Sequence, residues 1–114
     1  MPDEYKKLLD DAGLKYEEFG TLDEAPIECI DCLYMTRIQK ERFKDNAEYE
    51  VIKDSCILRL DIVSRMKTKA IIMHPLPRVN EIPEEIDDDP RAVYFDQAKY
   101  GLYGRYPVYW TCSL

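Results

Sequence analysis

The chain lacks the long apolar runs, the basic leader and the surplus of positive charge that direct proteins to membranes, secretion or nucleic acids. No apolar stretch approaches the roughly 20 residues of a membrane-spanning helix, and residues 1–7 have neither the basic start nor the apolar core of a signal peptide. The chain contains 16 Lys and Arg residues and 23 Asp and Glu residues, which give a formal net charge of -7. Nucleic acids and anionic membranes, in contrast, favour basic surfaces. We therefore expect a cytoplasmic protein with no nucleic-acid partner and no membrane partner.

Closely spaced metal ligands are also few. Cys29 and Cys32 form a C-x-x-C pair, which is typical of either a zinc half-site or a redox pair. A zinc site needs two further ligands, usually a second close pair, but Cys56 and Cys112 stand far apart and His74 is the only histidine. A redox pair would open a helix, whereas the residues after Cys32 have the composition of a strand. We expect reduced, structural cysteines and no metal site.

Apolar patterning predicts one small domain in which helices alternate with short, mostly apolar strands. Strands of that composition are typical of a parallel sheet covered on both faces, which places the chain in the α/β class. Gly13 is expected to end the first helix in the left-handed conformation, and Pro107 to interrupt the last one. The predicted helices are residues 2–12, 21–25, 46–52 and 61–66 and a helix after the acidic turn 87–90; the predicted strands are residues 14–19, 30–35 and 70–73.

The most informative segment is the end of the third strand. The apolar run 70–73 stops at His74, and Pro75 and Pro77 follow with one residue between them. Proline lacks an amide hydrogen and fixes its own φ, so the chain leaves the strand in a stiff loop whose carbonyls have no ladder to join. In open parallel sheets, ligands bind at this carboxyl edge.

A second polar loop follows the strand 30–35. There Arg37 offers a planar fork of donors suited to a carboxylate or phosphate, and Gln39 offers both a donor and an acceptor. If the two strands are parallel, both loops lie at one edge and can bind a small molecule with an anionic group and an N–H group. The alternatives are a surface salt bridge for Arg37, a backbone hydrogen bond for His74 and a simple rigid stop for the prolines, so the pattern alone leaves the function open.

Three segments in order resemble aspartate carbamoyltransferase. Residues 33–43 are similar to the family's L-Y-x-T-R-x-Q-K-E-R segment, residues 74–82 to its H-P-x-P-R-x-x-E-I segment, and residues 89–105 to the segment that follows. The sister ornithine enzyme has Cys after the histidine, so Pro75 favours the aspartate branch. The resemblance implies a three-layer α/β/α fold with a parallel sheet, like that of the aspartate and ornithine enzymes, present here incompletely.

The resemblance also implies a reaction in which the aspartate amine attacks carbamoyl phosphate to give N-carbamoyl-aspartate and phosphate, without a cofactor or metal. Arg37, assisted by Gln39, would bind an aspartate carboxylate. The carbamoyl group or the attacking amine would meet the backbone of Pro75, Leu76 and Pro77, with the Leu76–Pro77 bond cis. The residues that would position Arg37 or hold the two domains closed are Glu41, Arg42 and His74.

The departures from the family limit these expectations. The family's Ser-Thr-Arg-Thr phosphate loop is absent from these residues, as is most of the interface shared in its homotrimers, so no catalytic residue is assigned within the chain alone. We expect residues 1–105 to be a partial aspartate-binding domain, residues 106–114 to be a divergent tail, and the isolated chain to have no turnover. The alternatives are a non-catalytic amino-acid-binding module and a truncated chain with no independent role.

Overall fold

A short parallel sheet organises the chain in the computed structural model, which describes residues 1–37 and 57–112, with side chains as far as Arg105. The predicted parallel arrangement is confirmed, because the two strands pair in parallel. Two 3-10 turns, Ile27–Cys29 and Glu84–Ile86, lie between the main elements. These elements are α1 (Asp3–Asp11), β1 (Cys32–Tyr34), α2 (Leu60–Arg65), β2 (Ile71–Met73) and α3 (Tyr94–Cys112).

Strand β2 lies between two neighbours. On one side its register with β1 pairs Cys32 with Ile71 and Tyr34 with Met73. On the other side the Ile72 amide donates to the Arg91 carbonyl at 2.7 Å, and the Ile72 carbonyl accepts from the Val93 amide at 3.0 Å. The three-residue strand β2 therefore forms backbone hydrogen bonds with chain segments on both of its sides.

The core lies around Ile72 on β2. Ile62 and Val63 on α2 pack into the same buried cluster, together with Ile27 from the first 3-10 turn and Tyr94 at the start of α3. Burying an aliphatic side chain of this size stabilises the fold by about 1.5–3 kcal/mol. The α2 helix and both strands thus lie close to the predicted positions because each supplies apolar residues to this one cluster.

The amino-terminal part of the chain differs from the prediction. Helix α1 forms and Gly13 has a φ of 67°, as expected, but the predicted strand 14–19 and helix 21–25 are wrong, since residues 14–19 form no regular element and 21–25 form a turn. A strand needs a partner, and within the described residues none pairs with this segment. The turn is held by a hydrogen bond from the Gly20 amide to the Glu24 carboxylate at 2.9 Å.

Helix α3 runs through Pro107, so the expected interruption is wrong. Proline removes one helical hydrogen bond but its fixed φ is itself helical, and the helix continues on both sides. The helix buries Tyr94 at its start, whereas Phe95 and Leu102 are exposed.

Two further observations concern the described residues alone. No helix there combines the length and apolar character needed to cross a membrane, and no cluster of three or more His, Cys, Asp or Glu side chains has a metal-binding arrangement. Cys29 and Cys32 are free, exposed thiols. The Cys56 and Cys112 side chains and the predicted helix 46–52 lie outside the described part.

Candidate functional site

The two polar loops leave the sheet at the same edge. Tyr34 and Met73, the last residues of β1 and β2, are paired in register, and the Met35 amide extends the pairing by donating to the Met73 carbonyl at 2.9 Å. Arg37 follows β1 by three residues and is exposed, while His74 directly follows β2. The parallel pairing thus places the predicted anion-binding side chain and the predicted carbonyl loop at one edge, as the sequence indicated.

The loop after β2 has an unusual backbone. The Leu76–Pro77 peptide bond is cis, as the resemblance implied, and Leu76 has a φ of 46°. Residues with a side chain seldom adopt this left-handed conformation, which costs on the order of 1–3 kcal/mol and persists only where the surroundings hold it. Within residues 1–37 and 57–112, no amide donates to the carbonyls of residues 75–77. The loop therefore presents backbone acceptors that no amide of the described residues uses.

His74 holds the loop from the inside. Its side chain is buried, with 1% of the residue exposed, and its Nδ1 accepts from the Leu76 amide at 2.9 Å. Burial lowers the pKa of His74 below its ordinary value; nearby Glu81 opposes this effect, and Arg78 adds to it. The imidazole is therefore kept neutral, and the hydrogen bond to Leu76 ties the ring to the strained residue.

Glu81 closes the loop behind His74. Only 5% of this residue is exposed, and one carboxylate oxygen accepts from the Val79 amide at 2.7 Å. The backbone carbonyl of Glu81 accepts from the Leu58 amide at 2.8 Å. This hydrogen bond joins the loop to the segment that leads into α2. The other carboxylate oxygen lies 3.9 Å from the Nε2 atom of His74.

Gln97 on α3 joins the two strand ends, a role that the sequence did not reveal. Its side-chain oxygen accepts from the His74 amide at 2.9 Å, and its nitrogen donates to the Tyr34 hydroxyl at 3.2 Å. The available signal was a polar side chain beside the apolar positions of the predicted helix. Spacing along the chain could not identify its partners, since they are 23 and 63 residues away.

A cavity of about 500 Å³ opens beside this edge. Its walls include Tyr34 from β1, His74 and Pro75 from the loop, and Gln97 and Arg105 from α3. The volume is in the range of small-molecule sites. Arg105 adds a cationic side chain to the wall, which the sequence had identified only as part of a motif.

Arg78, in contrast, makes its contacts with residues that stabilise the fold. Its guanidinium binds both carboxylate oxygens of Asp87, one of them at 2.6 Å, and lies 3.2 Å from the Tyr94 hydroxyl. Tyr94 donates to the same carboxylate. The pKa of Asp87 is lowered mainly by Arg78, and burial raises the pKa of Tyr94 to about 12. This triad fixes the turn 87–90 against the start of α3.

Three predicted site residues, Gln39, Glu41 and Arg42, lie outside the described part of the chain. Their roles therefore stay predictions. Of the remaining predicted residues, the structure brings His74, Pro75, Leu76 and Pro77 together in one loop and places Arg37 at the same edge of the sheet.

The chain is similar in sequence and fold to known carbamoyltransferases. The family described as aspartate/ornithine carbamoyltransferase, Asp/Orn binding domain, matches residues 2–112, which include most of the predicted tail. The aspartate carbamoyltransferase catalytic subunit of Parabacteroides distasonis is 49% identical over 108 residues, which are 95% of this chain and 35% of the relative.

Two solved structures have the same arrangement. The catalytic subunit of M. jannaschii aspartate transcarbamoylase has a TM-score of 0.78 and 46% identity, over 89% of this chain and 33% of that one. The enzyme of Trypanosoma cruzi, in complex with carbamoyl phosphate and aspartate, has a TM-score of 0.78 and 33% identity, over 90% of this chain and 33% of that one. The chain thus spans about a third of the length of these relatives.

Proposed function

We propose, from the premise that this chain belongs to the aspartate/ornithine carbamoyltransferase family, that it supplies the aspartate-binding part of an aspartate carbamoyltransferase. In the proposed reaction the amine of aspartate attacks the carbonyl carbon of carbamoyl phosphate. The bond from that carbon to the phosphate oxygen breaks, phosphate leaves with the electron pair, and the amine loses a proton. The products are N-carbamoyl-aspartate and phosphate, a step of de novo pyrimidine biosynthesis.

Within this reaction Arg37 binds a carboxylate of aspartate and Gln39 assists it. The carbonyls of Pro75, Leu76 and Pro77 accept hydrogen bonds from the attacking amine or the carbamoyl N–H groups. Such a site accelerates the reaction by positioning the two reactants, so that the amine meets the carbonyl in the correct orientation. Glu41 and Arg42 position Arg37 and support domain closure, and His74 positions the loop.

One observation carries this proposal. The pairing of Tyr34 with Met73 places the residues that lead to Arg37 and to the carbonyls of residues 75–77 at one edge of a parallel sheet. A molecule that carries both a carboxylate and an amine matches these two kinds of group. Pro75 in place of the ornithine enzyme's cysteine, together with the named relatives, supports aspartate as that molecule.

A chimera tests the proposed substrate. The 114 residues would replace the matching third of the M. jannaschii catalytic subunit, which is 46% identical over the shared region. We expect the chimera to form N-carbamoyl-aspartate from aspartate and carbamoyl phosphate, and to leave ornithine unchanged. A folded chimera that carbamoylates ornithine instead of aspartate would contradict the proposal.

The isolated 114-residue chain provides the complementary test. We propose that it forms no N-carbamoyl-aspartate, because these residues contain no phosphate loop to bind carbamoyl phosphate. Turnover by the purified chain would reject this. The rival function, a non-catalytic amino-acid-binding module, predicts aspartate binding by the chain in calorimetry together with an inactive chimera.

A further inference from the structure

We infer that His74 is a positioning residue that holds the backbone of residues 75–77 only while its ring is neutral and protonated on Nε2, so that protonation of Nδ1 releases the loop. The inference rests on the proposed function, because that function makes these backbone groups the ones that meet the substrate. His74 itself touches no reacting atom in this scheme. It acts through the conformation of Leu76.

The tautomer follows from the hydrogen bond at Nδ1. The Leu76 amide can only donate, and its nitrogen lies 2.9 Å from Nδ1, so Nδ1 must be the unprotonated acceptor of the ring. A neutral imidazole with a bare Nδ1 carries its hydrogen on Nε2. That atom faces a carboxylate oxygen of Glu81 at 3.9 Å, and within the described residues neither of these buried atoms has a hydrogen-bond partner. A donor and an acceptor are thus opposed, which agrees with the Nε2–H form.

Protonation of the ring reverses the contact at Leu76. The cationic imidazole carries hydrogen on both nitrogens, so Nδ1–H would meet the Leu76 N–H at 2.9 Å as donor against donor. Leu76 has a φ of 46°, a conformation that persists only where its surroundings stabilise it. Loss of the acceptor therefore removes the contact that ties the ring to Leu76.

The groups around the ring set the direction of this effect. Glu81 favours the protonated ring, whereas burial and Arg78 disfavour it, and together they hold the pKa of His74 below its ordinary value. Gln97 is uncharged and binds the His74 backbone. The titratable and charged side chains of the neighbouring strand and helix that share the cavity with His74 are Tyr34 on β1 and Arg105 on α3. The loop is thus held at neutral pH and released on acidification.

The chain offers a direct test because it contains a single histidine. Long-range proton–nitrogen NMR of the uniformly labelled 114-residue chain reports the tautomer and the titration of His74 without ambiguity. We expect the Nε2–H form at neutral pH, protonation below the ordinary range, and a shift of the Leu76 amide with the same midpoint. The Ile72 amide, bonded to the Arg91 carbonyl, is the internal control and should not titrate with it. An Nδ1–H tautomer, or a titration that leaves the Leu76 amide unmoved, would overturn the inference.

Two matched substitutions separate positioning from simple packing. In His74→Asn the side-chain oxygen can occupy the place of Nδ1 and cannot titrate, whereas in His74→Gln the amide reaches toward the place of Nε2. We expect the Leu76 amide of His74→Asn to stay protected from hydrogen exchange, with a chemical shift that does not change with pH. In His74→Gln we expect this amide to exchange about tenfold faster at neutral pH, the equivalent of one lost hydrogen bond. Equal protection in both variants contradicts the inference. Because these measurements need no substrate, a negative result here leaves the proposed reaction standing.

Discussion

Arg37 and Arg78 show how position decides what an arginine does. Arg78 lies within the H-P-x-P-R segment, yet its guanidinium is occupied by Asp87 and Tyr94 and lies 5.7 Å from the Tyr94 ring centroid. Arg37 is exposed at the carboxyl edge of the sheet. The first therefore fixes a turn, whereas the second lies at the edge where we propose that the substrate binds.

Substitution of Arg37 tests that assignment. In the active chimera, Arg37→Ala should lower kcat/KM for aspartate by about 30- to 900-fold, the equivalent of ~2–4 kcal/mol, because it removes a charge-assisted bidentate contact. The control is Arg65→Ala on α2, whose guanidinium binds Glu28 at 2.7 Å on the surface and should change the kinetics little. Steady-state rates at varied aspartate measure both, and equal kinetics for the two variants would remove Arg37 from the site.

Tyr94 provides a prediction about alkaline pH. Its pKa is raised from 10.0 to about 12 in the fold, mainly by burial, so the unfolded chain loses this proton first as pH rises. The folding contribution of Tyr94 is complete below pH 10.0, declines as pH rises toward about 12 and is then lost. Tyr94→Phe should abolish this part of the pH dependence and lower the free energy of unfolding at neutral pH by about 1–2 kcal/mol, since it removes the hydrogen bond to Asp87.

The control for Tyr94 is Tyr100→Phe, because Tyr100 lies on the same helix and is exposed. Urea unfolding between neutral pH and pH 11 measures all three proteins. If the wild-type chain and Tyr94→Phe lose stability in parallel above pH 10.0, the hydroxyl does not titrate as the structure indicates.

Helix α3 connects the elements of the site. Its first residue, Tyr94, lies in the core, and Gln97 one turn later binds the ends of both strands. Arg105, about three turns from the start, lines the cavity. One element thus joins the core to the proposed substrate edge.

Pro107 is expected to destabilise this helix, because proline has no amide hydrogen to donate. Pro107→Ala restores an amide donor in the helix interior and should raise the free energy of unfolding by up to about 3 kcal/mol. Pro90→Ala is the matched control: Pro90 lies in the turn before α3, and its loss should change stability by less than about 1 kcal/mol, with the opposite sign. Denaturant titration compares the two. A neutral or destabilising Pro107→Ala would contradict the continuous helix.

Two of the correctly predicted elements, strand β2 and helix α2, supply residues to the core. Strand β2 and helix α2 contain Ile72, Ile62 and Val63, so their apolar residues indicated both their existence and their approximate bounds. Residues 14–19 also contain apolar residues, but no strand in the described part pairs with them. Composition alone cannot show whether a segment has a partner strand. Gln97 was missed for a related reason, because its partners come from distant segments.

The same limit applies to the candidate site. The stiff exit at His74 and the arginine at Arg37 follow from local chemistry, and parallel pairing was enough to bring them to one edge. The hydrogen bond from Leu76 to His74 and the buried carboxylate of Glu81 depend on how the loop folds back on itself. These contacts are set by the tertiary fold, which local patterning does not reveal.

At the scale of the described molecule, the amino-terminal part exposes several large apolar side chains, as helix α3 also does. No residue of α1 is buried, and Leu8 and Leu14 are 63% and 59% exposed, although both belong to apolar patterns. Exposed apolar surface of this kind promotes association. The family members that span about three times this length have further chain with which such surface can be covered.

We therefore expect the purified chain to associate with rising concentration. The double substitution Leu14→Lys and Phe19→Lys should reduce this association, because both side chains are exposed and neither belongs to the core. Val79→Lys, at an exposed position outside this region, is the control and should leave association unchanged. Sedimentation velocity over a concentration series measures the effect, and an equal response to both changes would show that added charge, not the amino-terminal surface, controls association.

The pairing of β1 with β2 also has a consequence for how the chain reaches its native state. Cys32 meets Ile71, roughly 40 residues further along, and Ile72 then meets Ala92. Every rung of the described sheet joins segments that are distant in sequence, so loop-closure entropy must be overcome before any strand contact stabilises the chain. No hairpin in the described part can act as a local nucleus. Folding should therefore begin in α2 and α3, and the substrate edge should be among the last features to form.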